Sequence, residues 1–279
     1  MIKYGAAIFL SSLLSTHLLI AQSLVSLPLI GIDEDATIQI GLQYNYIQQN
    51  YQLQLRDNWK QLIENLDADP ESITYLGALK SIYNKASFGH SLGISMDIKW
   101  NERLSINFNP SFNLLNAQQI SYESMDDQLG VLQRKTKHTE LDMQGENFNS
   151  FEFPVGLKFY SDERNLINWD SKYRAYILGG VRLARWAGVI TQNKELSIDK
   201  RRNRPVPENI ILKPEYMSWE VGVGFDLFFT NFRVSPEVRF SQSMNNVLSN
   251  NHVLAVDNKF MAPIDRAFIR NVYFSLIFQ

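Results

Sequence analysis

Between Met217 and Phe240 the chain alternates between apolar and polar residues twice, in opposite phase. Met217, Trp219, Val221, Val223, Phe225, Leu227 and Phe229 take the odd positions, and Ser218, Glu220, Gly222, Gly224 and Asp226 lie between them. After Thr230 and Asn231 the even positions are apolar, with Phe232, Val234, Pro236, Val238 and Phe240 separated by Arg233, Ser235, Glu237 and Arg239. Two period-two runs around a two-residue turn define a β-hairpin. One face is aromatic and aliphatic throughout; the other carries carboxylates, guanidinium groups, glycine and serine. A soluble sandwich buries the first face, whereas a transmembrane barrel turns it to lipid and encloses the second in a polar lumen. The hairpin alone is compatible with both.

The same alternation recurs along the chain. Ile38 to Tyr46 reads as a first strand, and Phe88, Leu92, Ile94, Met96, Ile98 and Trp100 share one face of a second, with His90 in the same series. In the third, Leu104, Ile106, Phe108, Phe112 and Leu114 alternate with Ser105, Asn107, Asn109, Ser111 and Asn113. Phe151 to Phe159 and Tyr173 to Leu183 are the fourth and fifth, with a bend or close backbone approach expected at Gly179-Gly180. The hairpin supplies two more, and Phe268 to Phe278 the last. That makes eight strands.

The connections decide between the two architectures. The odd ones are stretches of roughly 25 to 40 residues, and of the even ones two are short turns and the third, Ser161 to Lys172, is about a dozen residues, as in outer-membrane barrels with short periplasmic turns and long extracellular loops. The strands match the roughly 9 to 11 residues that a tilted strand needs to cross a bilayer. Trp100, Trp186, Trp219, Tyr44 and Tyr46 lie toward strand ends, where interfacial aromatic girdles belong. The expected fold is therefore all-β, an eight-stranded antiparallel up-and-down transmembrane β-barrel with long extracellular loops. The alternative is a secreted soluble β domain.

The N-terminus agrees with export. Lys3 precedes an apolar stretch from Gly5 to Ile20, and Ala21 before Gln22 is a cleavage point. Residues 1–21 read as a signal peptide, 22–35 as a periplasmic segment with the acidic cluster Asp33-Glu34-Asp35, and 36–279 as the barrel domain. Mean hydropathy is -0.21, and no later apolar run reaches the roughly 18 residues of a membrane helix. Within the first long connection, Trp59, Leu62, Ile63 and Leu66 have helical spacing behind Asp57 and Asn58, which can cap. Pro70 opens a second short helical piece with Ile73, Leu76 and Leu79.

Chemistry is sparse. The absence of cysteine removes disulfides, thiol catalysis and a lipoprotein anchor. Of four histidines, none pairs with another at metal spacing. His90 and Ser91 are neighbours in a strand and so face opposite sides. With a net charge of -2 nothing points to nucleic acid. Nor do the residues call for a cofactor or a small-molecule substrate. Two clusters stand out. Glu220, Asp226, Arg233, Glu237 and Arg239 fall on the lumen face and are expected to form a charge network, because an unpaired charge there would be costly. Lys200, Arg201, Arg202 and Arg204 form a basic run in a long connection, either a solvated loop or a patch for lipid phosphates or an acidic partner.

Several segments resemble the PorT family of outer-membrane β-barrels. They are Phe151-Glu-Phe-Pro-Val-Gly-Leu-Lys158, Tyr173-Arg-Ala-Tyr-Ile-Leu-Gly-Gly-Val181, Trp219-Glu-Val-Gly-Val-Gly-Phe-Asp-Leu-Phe-Phe229 and Phe232-Arg-Val-Ser-Pro-Glu-Val-Arg-Phe-Ser241, together with the exit Ser241 to Leu248 and the terminal strand. The resemblance implies an outer-membrane barrel of the type IX (Por) secretion system, non-enzymatic, in contact with other secretion components. It also implies a need for export of cargo bearing a C-terminal sorting domain and, in some relatives, for gliding motility. The competing reading is a stand-alone small barrel for adhesion or envelope stability.

Overall fold

The structure is a computed structural model that describes residues 25–26, 36–67, 75–116, 118–126, 128–135, 149–165, 172–202, 204, 206 and 208–279. The expected signal peptide, the acidic cluster, Pro70, Ile73 and His138 lie outside the described residues.

Among the described residues, nine antiparallel strands close a ring. In order around it they are β2 (Ile38–Leu55), β4 (Ser87–Asn101), the pair β5 (Leu104–Phe108) and β6 (Ser111–Leu115), then β9 (Ser150–Tyr160), β11 (Lys172–Trp186), β12 (Glu215–Phe228), β13 (Arg233–Ser243) and β14 (Ile264–Phe278). β14 pairs with β2 from Phe278↔Leu42 to Ile264↔Leu55, and β2 pairs with β4, so no edge remains in the wall. An open edge facing lipid would leave backbone groups unpaired at several kcal/mol each. Two short strands attach to the wall, β1 (Val25–Ser26) on β2 and β10 (Arg164–Asn165) on β11.

The count differs from the expected eight because one expected strand is two. Pro110 has no N–H to give to a ladder, and the chain breaks at Asn109-Pro110 between β5 and β6. Both pieces pair with β4 on one side and β9 on the other. Ser105, Asn107, Asn109, Ser111 and Asn113 all stay buried, so the inward phase runs through the break.

Side chains sort by face as the alternation requires. Leu92, 67% exposed, and Val223, 58% exposed, belong to an outward apolar belt with Ile94, Val155, Leu157, Ile177, Phe225 and Leu276. Gln43, Asn45, Ser91, Ser95, Asp97, Glu152 and Asn271 are buried inside. A polar interior inside an apolar surface is the reverse of a soluble sandwich. Trp100 stands exposed near the short-turn end, where Phe229, Phe232 and Phe278 also stack, and Trp219 packs on Phe240 on the outer wall. Trp186 does not join a girdle. It is 3% exposed, on the inward phase of β11, against Tyr216.

The long connections are not solvated loops. Apolar groups from α1 (Trp59–Leu66), Leu76, the Ile210–Leu212 stretch, Val247–Leu248 and Phe260–Met261 pack onto Ile47, Tyr51, Trp186, Ile264 and Ile269 of the wall. They form an apolar cap over the long-loop end. Asn58 makes no side-chain cap on α1. Of the expected second helical piece, Pro70 and Ile73 lie outside the described residues, and Leu79 opens the strand β3 (Leu79–Asn84), which joins β7 (Gln119–Ser124) and β8 (Val131–Lys135) in a separate sheet. A buried pair latches this cap: Lys259 Nζ lies 2.6 Å from Asp67 Oδ1, while Asp67 Oδ2 accepts the N–H of Leu76 at 2.7 Å and of Gly77 at 3.0 Å. In the third connection the helix α2 (Val189–Arg201) replaces the expected loop.

Candidate functional site

Inside the wall, five carboxylates meet five cations. Asp97, Glu152, Glu220, Asp226 and Glu237 face Lys158, Arg174, Arg182, Arg233 and Arg239, all buried apart from a slight exposure at Arg174. All five residues expected from the hairpin lie in this set. The strands position them by phase: on β12 and β13 these residues share the inward face with Ser218, Ser235 and Ser241.

The network runs along the barrel axis. At the short-turn end, Arg174 lies 3.0 Å from Asp226, and Ser235 donates its hydroxyl to Asp226 at 2.6 Å. Arg233 bridges Asp226 at 3.5 Å and Asp97 at 3.7 Å, and Lys158 reaches Asp97 at 2.9 Å. Asn107 links the two halves, donating to Asp97 at 2.6 Å and accepting from Arg239 at 3.1 Å. Arg239 then pairs with Glu237 and, at 3.1 Å, with Glu220. Arg182 joins Glu220 at 2.6 Å to Glu152, which accepts the Tyr273 hydroxyl at 3.0 Å. Tyr176 donates to Glu237 at 2.9 Å.

Glycine makes room for it. A Cβ at Gly222 would lie 2.9 Å from Arg239 Cγ, and one at Gly224 would lie 2.5 Å from the Tyr176 ring. Gly180 faces Gly156 across β11 and β9, so the close approach expected at Gly179-Gly180 belongs to Gly180.

Chemically this is a plug. Every one of the five carboxylates accepts from at least two donors, so none is left as a free base. Removing one partner of a buried pair typically costs about 3–5 kcal/mol; the set holds together because its opposite charges are equal in number and every carboxylate is paired with a cation. A cavity of about 110 Å³ opens at the short-turn mouth, lined by Asp97, Tyr160, Arg174, Phe228 and Arg233. The contributions of Asp97, Glu152, Lys158, Arg174 and Arg182 escaped the sequence reading. Their inward phase was legible, but the hairpin drew attention to its own charges alone.

The basic run divides. Lys200 donates to the carbonyls of Val253 and Val256 at 2.9 Å each, and Arg204 pairs with Asp199 at 3.1 Å. Arg201 and Arg202 are exposed at the C-terminal end of α2. The structure thus turns one of the four into a loop clamp rather than a patch member.

No group of three or more metal-ligating side chains occurs among the described residues. His90 projects from the outer wall, with Nδ1 2.6 Å from the Tyr44 hydroxyl and Tyr46 beside it. Ser91 points inward and accepts from Asn45 at 3.1 Å. The two neighbours are on opposite faces, as strand geometry demands.

No protein-family model and no curated protein matches the chain. Solved structures similar to it include Ail, the attachment invasion locus protein of Yersinia pestis, in complex with the heparin analogue sucrose octasulfate. That match has 10% identity and a TM-score of 0.29, over 86% of this chain and 96% of that one. Neisserial surface protein A is similar at 8% identity and a TM-score of 0.33, over 85% of this chain and 95% of that one.

Proposed function

We propose that this chain is an outer-membrane β-barrel, and that it serves the type IX secretion system as a non-enzymatic component. It would support export of sorting-domain cargo through contacts with other proteins of the machine. The observation that carries the membrane part is the inversion of faces: an apolar belt around the whole ring, enclosing a charge-matched interior. With β5 and β6 counted as one stave, the wall has the eight positions of a small barrel, too narrow for a water-filled pore. The short turns then face the periplasm and the capped end faces outward.

The secretion part rests on the segments that resemble the PorT family. Four of them lie in β9, β11, β12 and β13, the strands that supply every network charge except Asp97, and the terminal one lies in β14. A plugged, capped barrel offers no path for cargo, which favours a role through surfaces. The test is a clean deletion in the native bacterium. Sorting-domain proteins should disappear from the medium, accumulate in the periplasm and return to the medium when the gene is supplied in trans. Unchanged export would sink the secretion role. The stand-alone adhesion or envelope barrel would then take its place, a reading that the separate β3–β7–β8 sheet also favours by offering an ordered surface apart from the wall.

A further inference from the structure

The helix α2 stands at the edge of the apolar belt. It begins three residues after Trp186 ends β11, and Pro214 leads directly into β12, the strand next to β11 in the wall. Along the outward face of β11 the series Val181, Leu183 gives way to exposed Arg185; along β12 Trp219, Met217 gives way to exposed Glu215. The apolar belt ends there, and a headgroup region begins.

A groove of about 530 Å³ opens at that level. One helical stripe forms a wall of it, Ile190, Lys194, Ser197, Ile198 and Arg201, at the i, i+4, i+7, i+8 and i+11 spacing of a single face. Leu212, Pro214 and His252 stand opposite. The stripe is mixed in kind. Ile190 is 50% and Ile198 38% exposed, although apolar surface was available to bury in the cap a few residues away. Lys194 and Arg201 form no ion pair among the described residues, whereas Lys200 on the same helix is committed to two carbonyls. The groove is therefore ordered while its own cations have no ion-pair partner among the described residues.

We propose that this groove binds an anionic lipid of the outer leaflet, with Lys194 and Arg201 on its phosphate and Ile190, Ile198 and Pro214 against the first part of its chains. Charge complementarity selects the head, and continuity with the belt selects a lipid over a soluble anion or an acidic peptide. The site depends only on the membrane-spanning architecture and is separate from any role in secretion.

The experiment uses the full chain folded into phosphatidylcholine bilayers doped with bisphosphorylated lipid A, and counts the lipid retained per protein by native mass spectrometry after detergent extraction. The folded fraction is read from heat-modifiable gel mobility. Each cation near an anionic surface contributes about a factor of five, so Lys194→Glu with Arg201→Glu, which removes two cations and adds two anions, should weaken retention by more than about twenty-five-fold. Lys194→Gln with Arg201→Gln should weaken it in the same direction without adding negative charge. Arg202→Glu, on an exposed cation outside the groove, should leave it unchanged. Equal retention by the double variants, or of dephosphorylated lipid A by the wild type, overturns the assignment. So does displacement by inorganic phosphate or an acidic peptide combined with no effect of Ile190→Ser and Ile198→Ser, which would show a soluble ligand instead.

Discussion

Arg239 is 0% exposed and contacts Glu220, Glu237 and Asn107 at once. Truncation would leave Glu237 with only the Tyr176 hydroxyl and Glu220 with only Arg182. Arg239→Ala should therefore lower stability by about 3–5 kcal/mol, measured by urea unfolding in lipid vesicles. Paired replacement by Arg239→Met with Glu237→Gln should recover part of the loss, since no lone carboxylate then remains at that position. Glu123 offers a test outside the membrane. The Ser81 hydroxyl at 2.6 Å, and then the Lys80 ammonium at 3.0 Å, hold its carboxyl below the ordinary value of 4.5. A depressed carboxylate pKa stabilises the fold at pH values above 4.5 and loses that contribution as pH falls through the depressed folded-state value. Amides of Leu79–Asn84 should lose protection relative to their intrinsic exchange below that pH, and Glu123→Gln should abolish that loss. Protection in this strand that does not respond to acid would rule the linkage out.

At the scale of the element, the strands were readable because alternation is local. A residue two places along a strand returns to the same face whatever the rest of the chain does, and the inward and outward sets of β9, β11, β12, β13 and β14 follow from that. Leu157 belongs to the outward set. Leu157→Arg should cost about 2–4 kcal/mol for a cation at the bilayer midplane, and less if it sits nearer the interface, read by unfolding in vesicles. Gly180→Val should fail at the pairing step, because its Cβ would meet the Val155 carbonyl and lie 2.6 Å from Gly156 Cα. The folded fraction by heat-modifiable mobility reports this. Helix α2 was not readable: its groove-facing stripe mixes isoleucine with lysine, serine and arginine, so no apolar periodicity announces it. β3, β7 and β8 were missed because strands that pair above the barrel need not carry its inside-outside alternation.

Taken whole, the molecule is a wall with an apolar outer face, a polar, charge-matched interior and an apolar cap. The cap closes through contacts such as Tyr122 donating to the Phe260 carbonyl and the Lys259–Asp67 pair. Lys259→Met leaves the Asp67 carboxylate without its cation, and the stretch 245–263 should become cleavable by a protease that spares the wild type. Intact protection would show that apolar packing alone holds the cap. The network and cap together predict no ion conductance in a planar bilayer; a steady open current would contradict the closed interior. The sequence by itself determined which side chains face outward and which face inward, because period-two alternation acts on local segments. Only the tertiary structure decided which cation meets which carboxylate, from Arg174 with Asp226 to Lys158 with Asp97, and that the long connections fold down as a cap. Those partners lie 52 and 61 residues apart, and such pairings follow from stagger and closure of the whole ring, which no local pattern encodes.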